Sequence, residues 1–194
     1  MLRASGLSCA RDRRHLFTAL DVSLDAGQLV QVTGRNGSGK TTLLKILTGL
    51  YTEFEGEVTW SIERPPLYLG HSPGVNPRLT VTENLGWLCH LQDTDAALAD
   101  IDEVLDVLGM AGYQDTYCHN LSEGQRKRVN LARFLLCENP CWIMDEPFSS
   151  IDSTGLRYLE EKMQAHLEQG GGIILTSHQR PMFAVDIDQV ALTP

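Results

Sequence analysis

The nine residues GRNGSGKTT, Gly34–Thr42, constrain the fold of this chain more than any other stretch. They satisfy the spacing G-x-x-x-x-G-K-[ST] and sit between an apolar run, QLVQVTG, and KTTLLKILTGL, in which Leu43, Leu44, Ile46, Leu47 and Leu50 recur at helical spacing, closed by Gly49 and the turn Tyr51–Gly56. A strand, a glycine turn and a helix in that order place the loop at the end of a sheet. The glycines let successive backbone N–H groups face one point, and the helix adds its positive end, which makes a cradle for phosphates. Gly34, Arg35, Asn36, Gly37, Ser38, Gly39, Lys40, Thr41 and Thr42 form the candidate binding set. Within it Lys40 is expected to reach the β and γ phosphates of a nucleotide, and Thr41 to offer its hydroxyl to Mg2+.

The remaining pattern alternates strands with helices. LRASGLSCA and LFTALDVSLD read as an antiparallel start; GEVTW and LYLG read as short strands split at Pro65-Pro66. TVTENLGWLCHL begins a helix with Thr80 and Glu83 at capping-box spacing, and the next helical stretch puts Ala97, Ile101, Leu105 and Leu108 on one face. From Cys141 the chain reads as the strand CWIMDE, a helix from about Thr154 to Gln169, the strand GIILTSH and a last strand, DQVALTP. The expectation is one α/β domain over 1–194, a P-loop fold with a mainly parallel core sheet, a small antiparallel β lobe and an inserted helical lobe at about 72–138. A chain of 194 residues has room for one well-buried core and not for two full domains.

Further chemistry follows from where polar residues end the apolar strands. Asp145 and Glu146 close CWIM, at the strand end where ligands of parallel sheets sit. Asp145 is placed to hold Mg2+, and Glu146 to orient and deprotonate an attacking water. His178, closing IILTSH, is placed to donate to the γ phosphate and to bridge to Glu146. A second anion site opens at LSEGQ: Ser122 caps a helix with Gln125 at its third position, and Gly124 exposes backbone N–H groups. One nucleotide needs one cradle. Two chains arranged head to tail would let Ser122 and Gly124 of each close on the ATP held by the other's Gly34–Thr42.

Composition narrows the partners. Sixteen basic against 25 acidic residues give a formal net charge of −9, which disfavours a general nucleic-acid binder. No apolar run approaches the ~18 residues of a membrane span, and the first residues lack the apolar core of a secretory signal, so the chain is expected in the cytosol. Cys9, Cys89, Cys118, Cys137 and Cys141 show no CxxC pair or zinc spacing and are expected as reduced core thiols.

Taken in order, GRNGSGKTT, LSEGQRKRVNLAR, WIMDEP, SSID (Ser149–Asp152) and TSH resemble the phosphate loop, signature helix, magnesium-and-base strand, dimer-contact loop and switch histidine of the ABC-type ATPase family. AGQLVQVTGRNGSGKTTLLKILTGL, LYLGHSPG, LTVTENL, DEPFSSID and EQGGGIILTSHQ resemble one subfamily, the ATP-binding subunit of the haem exporter of bacterial cytochrome c maturation. That resemblance implies an ATPase of the translocase class with ATP and Mg2+ as cofactors. It implies a second copy of the chain, integral membrane subunits and an indirect link to a haem chaperone as partners, with no nucleic acid. The implied location is peripheral, on the cytoplasmic face of the inner membrane. Another small ABC exporter and a soluble, non-transport ABC ATPase are the alternatives. The family's usual glutamine after LYLG is replaced here by His71 or Ser72, and the subfamily pattern favours Ser72 as the third metal-side group. His15 is the resemblance's adenine-stacking residue by register, with Phe17 as the alternative and a core position as that phenylalanine's expected fate.

Overall fold

The structure, a computed structural model, describes residues 1–11, 14–72, 74–94, 96–149, 151–178, 181–183 and 186–192, and of Ala99 the backbone alone. Two units are distinguished within the chain. The first comprises Met1–Tyr68, Pro140–Pro147 and the residues from Gln164 onward; the second comprises Leu69–Asn139 and Phe148–Met163.

The first unit holds two sheets. Strands β1 (Leu2–Arg11) and β2 (Arg14–Leu24) form the expected antiparallel pair, in register at Leu2↔Leu24, Ala4↔Val22 and Cys9↔Phe17. Leu2, Ala4, Leu7 and Cys9 are buried in the core, the alternation slipping by one residue between Ala4 and Leu7, where the pairing with β2 shifts register and Gly6 takes a left-handed φ of 62°. Strand β4 (Glu55–Trp60) pairs with the other side of β1 and completes the three-stranded lobe, β2-β1-β4.

Five strands form the second sheet: β3 (Leu29–Gly34), β5 (Leu67–Leu69), β6 (Cys141–Asp145), β7 (Gly172–Thr176) and β8 (Ile187–Leu192), in the order β5-β6-β7-β3-β8. Strand β3 runs parallel to β7 and β8, and β6 parallel to β7. Every residue of β6 and β7 is buried, which is why CWIMD and GIILT read as unbroken runs instead of alternating ones. Parallel pairing also aligns the C-terminal ends: Thr176 lies opposite Asp145 on one side and Val32 on the other.

Helix α1 (Lys40–Leu47) leaves the end of β3 and buries Leu43, Leu44, Ile46 and Leu47 in a core shared with Leu24, Val30, Val32, Ile143 and Ile174. The helix stops at Thr48, and Gly49 takes a left-handed φ of 73°. Leu50, expected on the same apolar stripe, therefore lies beyond the helix and is 64% exposed.

The second unit carries helices α2 (Val81–His90), α3 (Leu98–Val107), α4 (Glu123–Leu136) and the first part of α5 (Ser153–Glu168). Thr80 and Glu83 make the expected capping box on α2. Ile101, Leu105 and Leu108 are buried as the spacing predicts, but Ala97 sits at the N-cap of α3 and is exposed. Asn84, fully buried, donates to the carbonyls of Asn76, Leu79 and Thr80 and accepts from the N–H of Asn76, so it ties the incoming loop to α2. All five cysteines are buried and free, and the Cys137 thiol donates to Cys89 Sγ at 2.8 Å.

Candidate functional site

The loop between β3 and α1 folds as its glycines require. Gly39 is the N-cap of α1 with φ 99° and ψ 10°, and a Cβ there would lie 2.9 Å from Leu16 Cβ; a Cβ on Gly34 would lie 2.5 Å from Ser38 Oγ and 2.9 Å from the carbonyl of Leu192. Only glycine fits either place. No side chain caps the first turn of α1 and no acidic residue occupies it, so its backbone N–H groups keep their positive field. Ser38 Oγ is buried with no hydrogen-bond partner among the described residues, a polar group that a phosphate oxygen would satisfy. Lys40 Nζ donates to the carbonyls of Gly34 (2.8 Å) and Arg35 (3.3 Å), which holds the ammonium group over the loop. Arg35, Asn36 and Gly37 lie exposed along its rim, and Thr42 is half-buried in α1.

The carboxylates stand beside this loop. Asp145, 5% exposed at the end of β6, accepts from Thr41 Oγ1 at Oδ2 and from Thr176 Oγ1 at Oδ1, each at 2.6 Å. A Thr41 hydroxyl that gives its proton to Asp145 keeps its lone pairs for a hard cation, so the pair offers the oxygen donors such an ion prefers. Glu146 follows with φ 49°, and its N–H meets both the Thr176 carbonyl (3.2 Å) and Thr176 Oγ1 (3.0 Å). Its Oε1 lies 3.6 Å from His178 Nε2. Nearby, burial and then the charge of Asp145 push the Tyr68 hydroxyl up to about 12, so the phenol stays neutral.

Lys40, Thr41, Asp145, Glu146 and His178, scattered over 139 positions of sequence, are thus brought together within the first unit. Thr176, the first residue of the TSH stretch, joins them, although only the histidine of that stretch was assigned a role from the sequence. The one signal for it was a hydroxyl closing an otherwise apolar strand.

In the second unit Ser122 caps α4 as expected: Ser122 Oγ accepts from the Gln125 N–H (3.2 Å), and Gln125 Oε1 accepts from the Ser122 N–H (2.9 Å). A serine oxygen used as acceptor leaves its own proton free to donate outward. The basic residues that follow are partly structural. Lys127 donates to Ser149 Oγ at 2.6 Å, and Arg128 to the carbonyls of Leu108 and Gly109. Asp152 Oδ1 accepts from the N–H groups of Thr154 and Gly155 and so caps α5. Ser150 and the Pro73 of the GHSPG stretch lie outside the described residues. His71 and Ser72 are exposed on the bend after β5.

His15 is exposed on β2 beside a cavity of about 280 Å³ that Ser8, Cys9, Glu53 and Glu55 also line. Phe17 is 4% exposed, with its ring 3.3 Å from where a Gly39 Cβ would stand, which is the core position expected of it.

Comparison with known proteins identifies the family. The family model described as ABC transporter matches residues 17–149. A cytochrome c biogenesis ATP-binding export protein CcmA from Escherichia coli (strain K12) is 46% identical over 92% of this chain and 89% of its own length. Its namesake from Pseudomonas syringae pv. syringae is 43% identical over 91% and 87%. Among solved structures, an ATP-binding subunit of an ABC transporter superposes with a TM-score of 0.78 at 24% identity, covering 92% of this chain and 79% of that one. An ABC transporter ATP-binding protein from Pyrococcus furiosus reaches 0.79 at 22%, covering 98% and 96%. At those identities the two structures speak for the fold, while the family model and the curated relatives carry the assignment: this chain belongs to the ABC transporter family.

Proposed function

We infer that this chain is the ATP-hydrolysing subunit of a membrane ABC complex that serves c-type cytochrome biogenesis. The observation that carries the hydrolytic reading is the junction of the phosphate loop with Asp145, Glu146 and His178 at the ends of β6 and β7. The cytochrome reading rests on relatives more than 40% identical over about nine-tenths of the chain whose name is that of an export protein of cytochrome c biogenesis.

In this reading Gly34–Thr42 hold the phosphates of ATP, with Lys40 on the β and γ groups and Ser38 Oγ supplying a buried donor. Thr41 and Asp145 fit Mg2+, with Ser72 as a further oxygen group; bound there, the cation neutralises charge on the phosphates. Glu146 takes the proton of the attacking water, and His178, 3.6 Å from it, donates to the γ phosphate. His15 covers the base.

Ser122, Gly124 and Gln125 serve the nucleotide of a second copy, the free proton of Ser122 reaching its γ phosphate. Two nucleotides then close a head-to-tail dimer and hydrolysis reopens it. Work is done only because ATP favours the closed state. The whole chain acts as one nucleotide-binding domain. Among the described residues no helix is long and apolar enough to cross a membrane. We place the chain on the cytoplasmic face of the inner membrane, held by integral subunits, with the cycle driving haem delivery to a haem chaperone or its release.

The test is haem staining of covalently assembled c-type cytochromes in a strain lacking this gene, complemented with the wild-type chain or Glu146→Gln. Loss of the cytochromes with rescue by the wild type alone is expected. Cytochromes that persist undiminished in the deletion would overturn the biogenesis role and leave an ABC motor with another cargo.

A further inference from the structure

We propose that Thr176 is a positioning residue for hydrolysis, its hydroxyl tying the carboxylate of Asp145 to the backbone of Glu146. The inference rests on the assignment of Asp145 and Glu146 made above and extends it to a residue of the TSH stretch other than its histidine.

Proton directions make the link unambiguous. A backbone N–H can only donate, so at 3.0 Å Thr176 Oγ1 accepts from Glu146; its single proton is then left for Asp145 Oδ1 at 2.6 Å. One hydroxyl therefore spans the two carboxylate residues. Thr41 occupies the other oxygen of Asp145, so the carboxylate is clamped from both sides, by the phosphate loop and by β7. A donor removed from Oδ1 would leave one oxygen of a 5%-exposed carboxylate without its partner and free the group to turn about the remaining Thr41 bond.

Glu146 shows why the backbone half matters. With φ 49° it occupies the left-handed region, which side-chain-bearing residues adopt at a cost and keep only where their surroundings hold them. Both hydrogen bonds from its N–H go to Thr176, one to the carbonyl at 3.2 Å and the shorter one to the hydroxyl. The conformation that aims the proposed general base is held by the residue opposite.

Packing does not explain a hydroxyl at this place. Thr176 is fully buried at the end of a strand whose other residues are Gly172, Ile173, Ile174 and Leu175. Valine has the same branched shape and suits a strand as well, without a polar group to desolvate.

The experiment compares the full-length chain carrying Thr176→Val or Thr176→Ser with the wild type and with Glu146→Gln. In Thr176→Val, kcat for ATP should fall by roughly 10- to 100-fold, the scale of a misplaced catalytic group, with KM for ATP near wild type and the melting temperature lower by a few degrees, the order expected when a buried carboxylate oxygen loses its donor. Thr176→Ser should restore kcat. Amide exchange at Glu146 should quicken in the valine variant and not in the serine one, a readout independent of turnover. If Thr176→Val does not fold, Thr176→Cys keeps the volume with a weak donor and should show the same kcat loss at lower amplitude.

A kcat for the valine or cysteine variant equal to wild type, or a serine variant as impaired as valine, would overturn the proposal. Glu146→Gln separates the two levels of inference. Wild-type turnover in that variant sinks the base assignment and this proposal with it, whereas an inactive Glu146→Gln beside a fully active Thr176→Val sinks the role of Thr176 alone.

Discussion

Below neutral pH the fold should lose stability through one ring, that of His166. It lies on α5 within the first unit, stacked on Trp142 with ring centroids 4.1 Å apart and planes 10° from parallel. Its Nε2 is buried with no hydrogen-bond partner among the described residues, and Gly171 packs so closely that a side chain there would run into the ring. Burial lowers the His166 pKa from 6.5 to about 4, opposed in part by a backbone hydrogen bond to Gly172. The sign follows directly. Between those values the unfolded chain takes up a proton that the folded chain refuses, so stability falls as pH falls through that window, and this histidine's contribution to the loss is complete below about 4. Linkage puts the loss between pH 7.5 and 5.0 at about 2 kcal/mol, an order-of-magnitude figure for a ring that is not completely buried. Urea unfolding at the two pH values, on the wild type and on His166→Phe, would measure it. The phenylalanine variant keeps the stack but cannot be protonated, so its loss over the same interval should be smaller by about that amount. Equal losses in the two proteins would refute the reasoning, because they would mean that the folded state carries the proton without penalty.

Two further predictions concern the cycle. Glu146→Gln should slow ATP hydrolysis by about 10²- to 10⁴-fold while leaving ATP binding intact, and on sizing columns it should form an ATP-dependent dimer; a monomer at saturating ATP removes the head-to-tail sandwich. Ser122→Arg should abolish turnover and leave ATP binding nearly unchanged, at a cost of ~1 kcal/mol from the lost N-cap; if ATP binding disappears instead, Ser122 does not serve a second chain's nucleotide.

Much of the fold was legible because its signals are local. The unbroken apolar runs CWIM and GIIL and the Thr80/Glu83 and Ser122/Gln125 capping boxes each depend on residues a few positions apart and form as their spacing requires, while the alternation in LRASGLSCA holds on either side of a register shift at Gly6. Errors occurred where local spacing does not decide the outcome. Leu50 continues the helical stripe of α1, but Gly49 before it turns the chain away and leaves the side chain in solvent. Ala97 shares a face with Ile101 and Leu105, yet an alanine at an N-cap has no apolar reach and stays exposed. Contacts such as Trp142 with His166, or Cys137 with Cys89, join residues 24 and 48 positions apart with no motif to announce them.

The candidate site divides along the same line. Phosphate chemistry needs glycines and a lysine at fixed spacing within one loop, so Gly34, Gly39, Lys40 and Thr41 could be named from the chain alone. Asp145 and Glu146 could be named because they close an apolar run, and His178 because it follows another and comes after the other motifs in order; in a parallel sheet such ends open on one edge. Thr176 ends β7 in the same way and yet could not be distinguished, since a threonine closing a strand is ordinary and its use depends on the neighbouring strand. Parallel pairing of β6 with β7 sets Thr176 opposite Asp145, and only that register lets one hydroxyl reach both the carboxylate and the next N–H. A slip of one residue would turn the hydroxyl to the other face of the sheet and leave Glu146 in its left-handed conformation with neither bond to hold it. Register, more than residue type, makes this threonine part of the site.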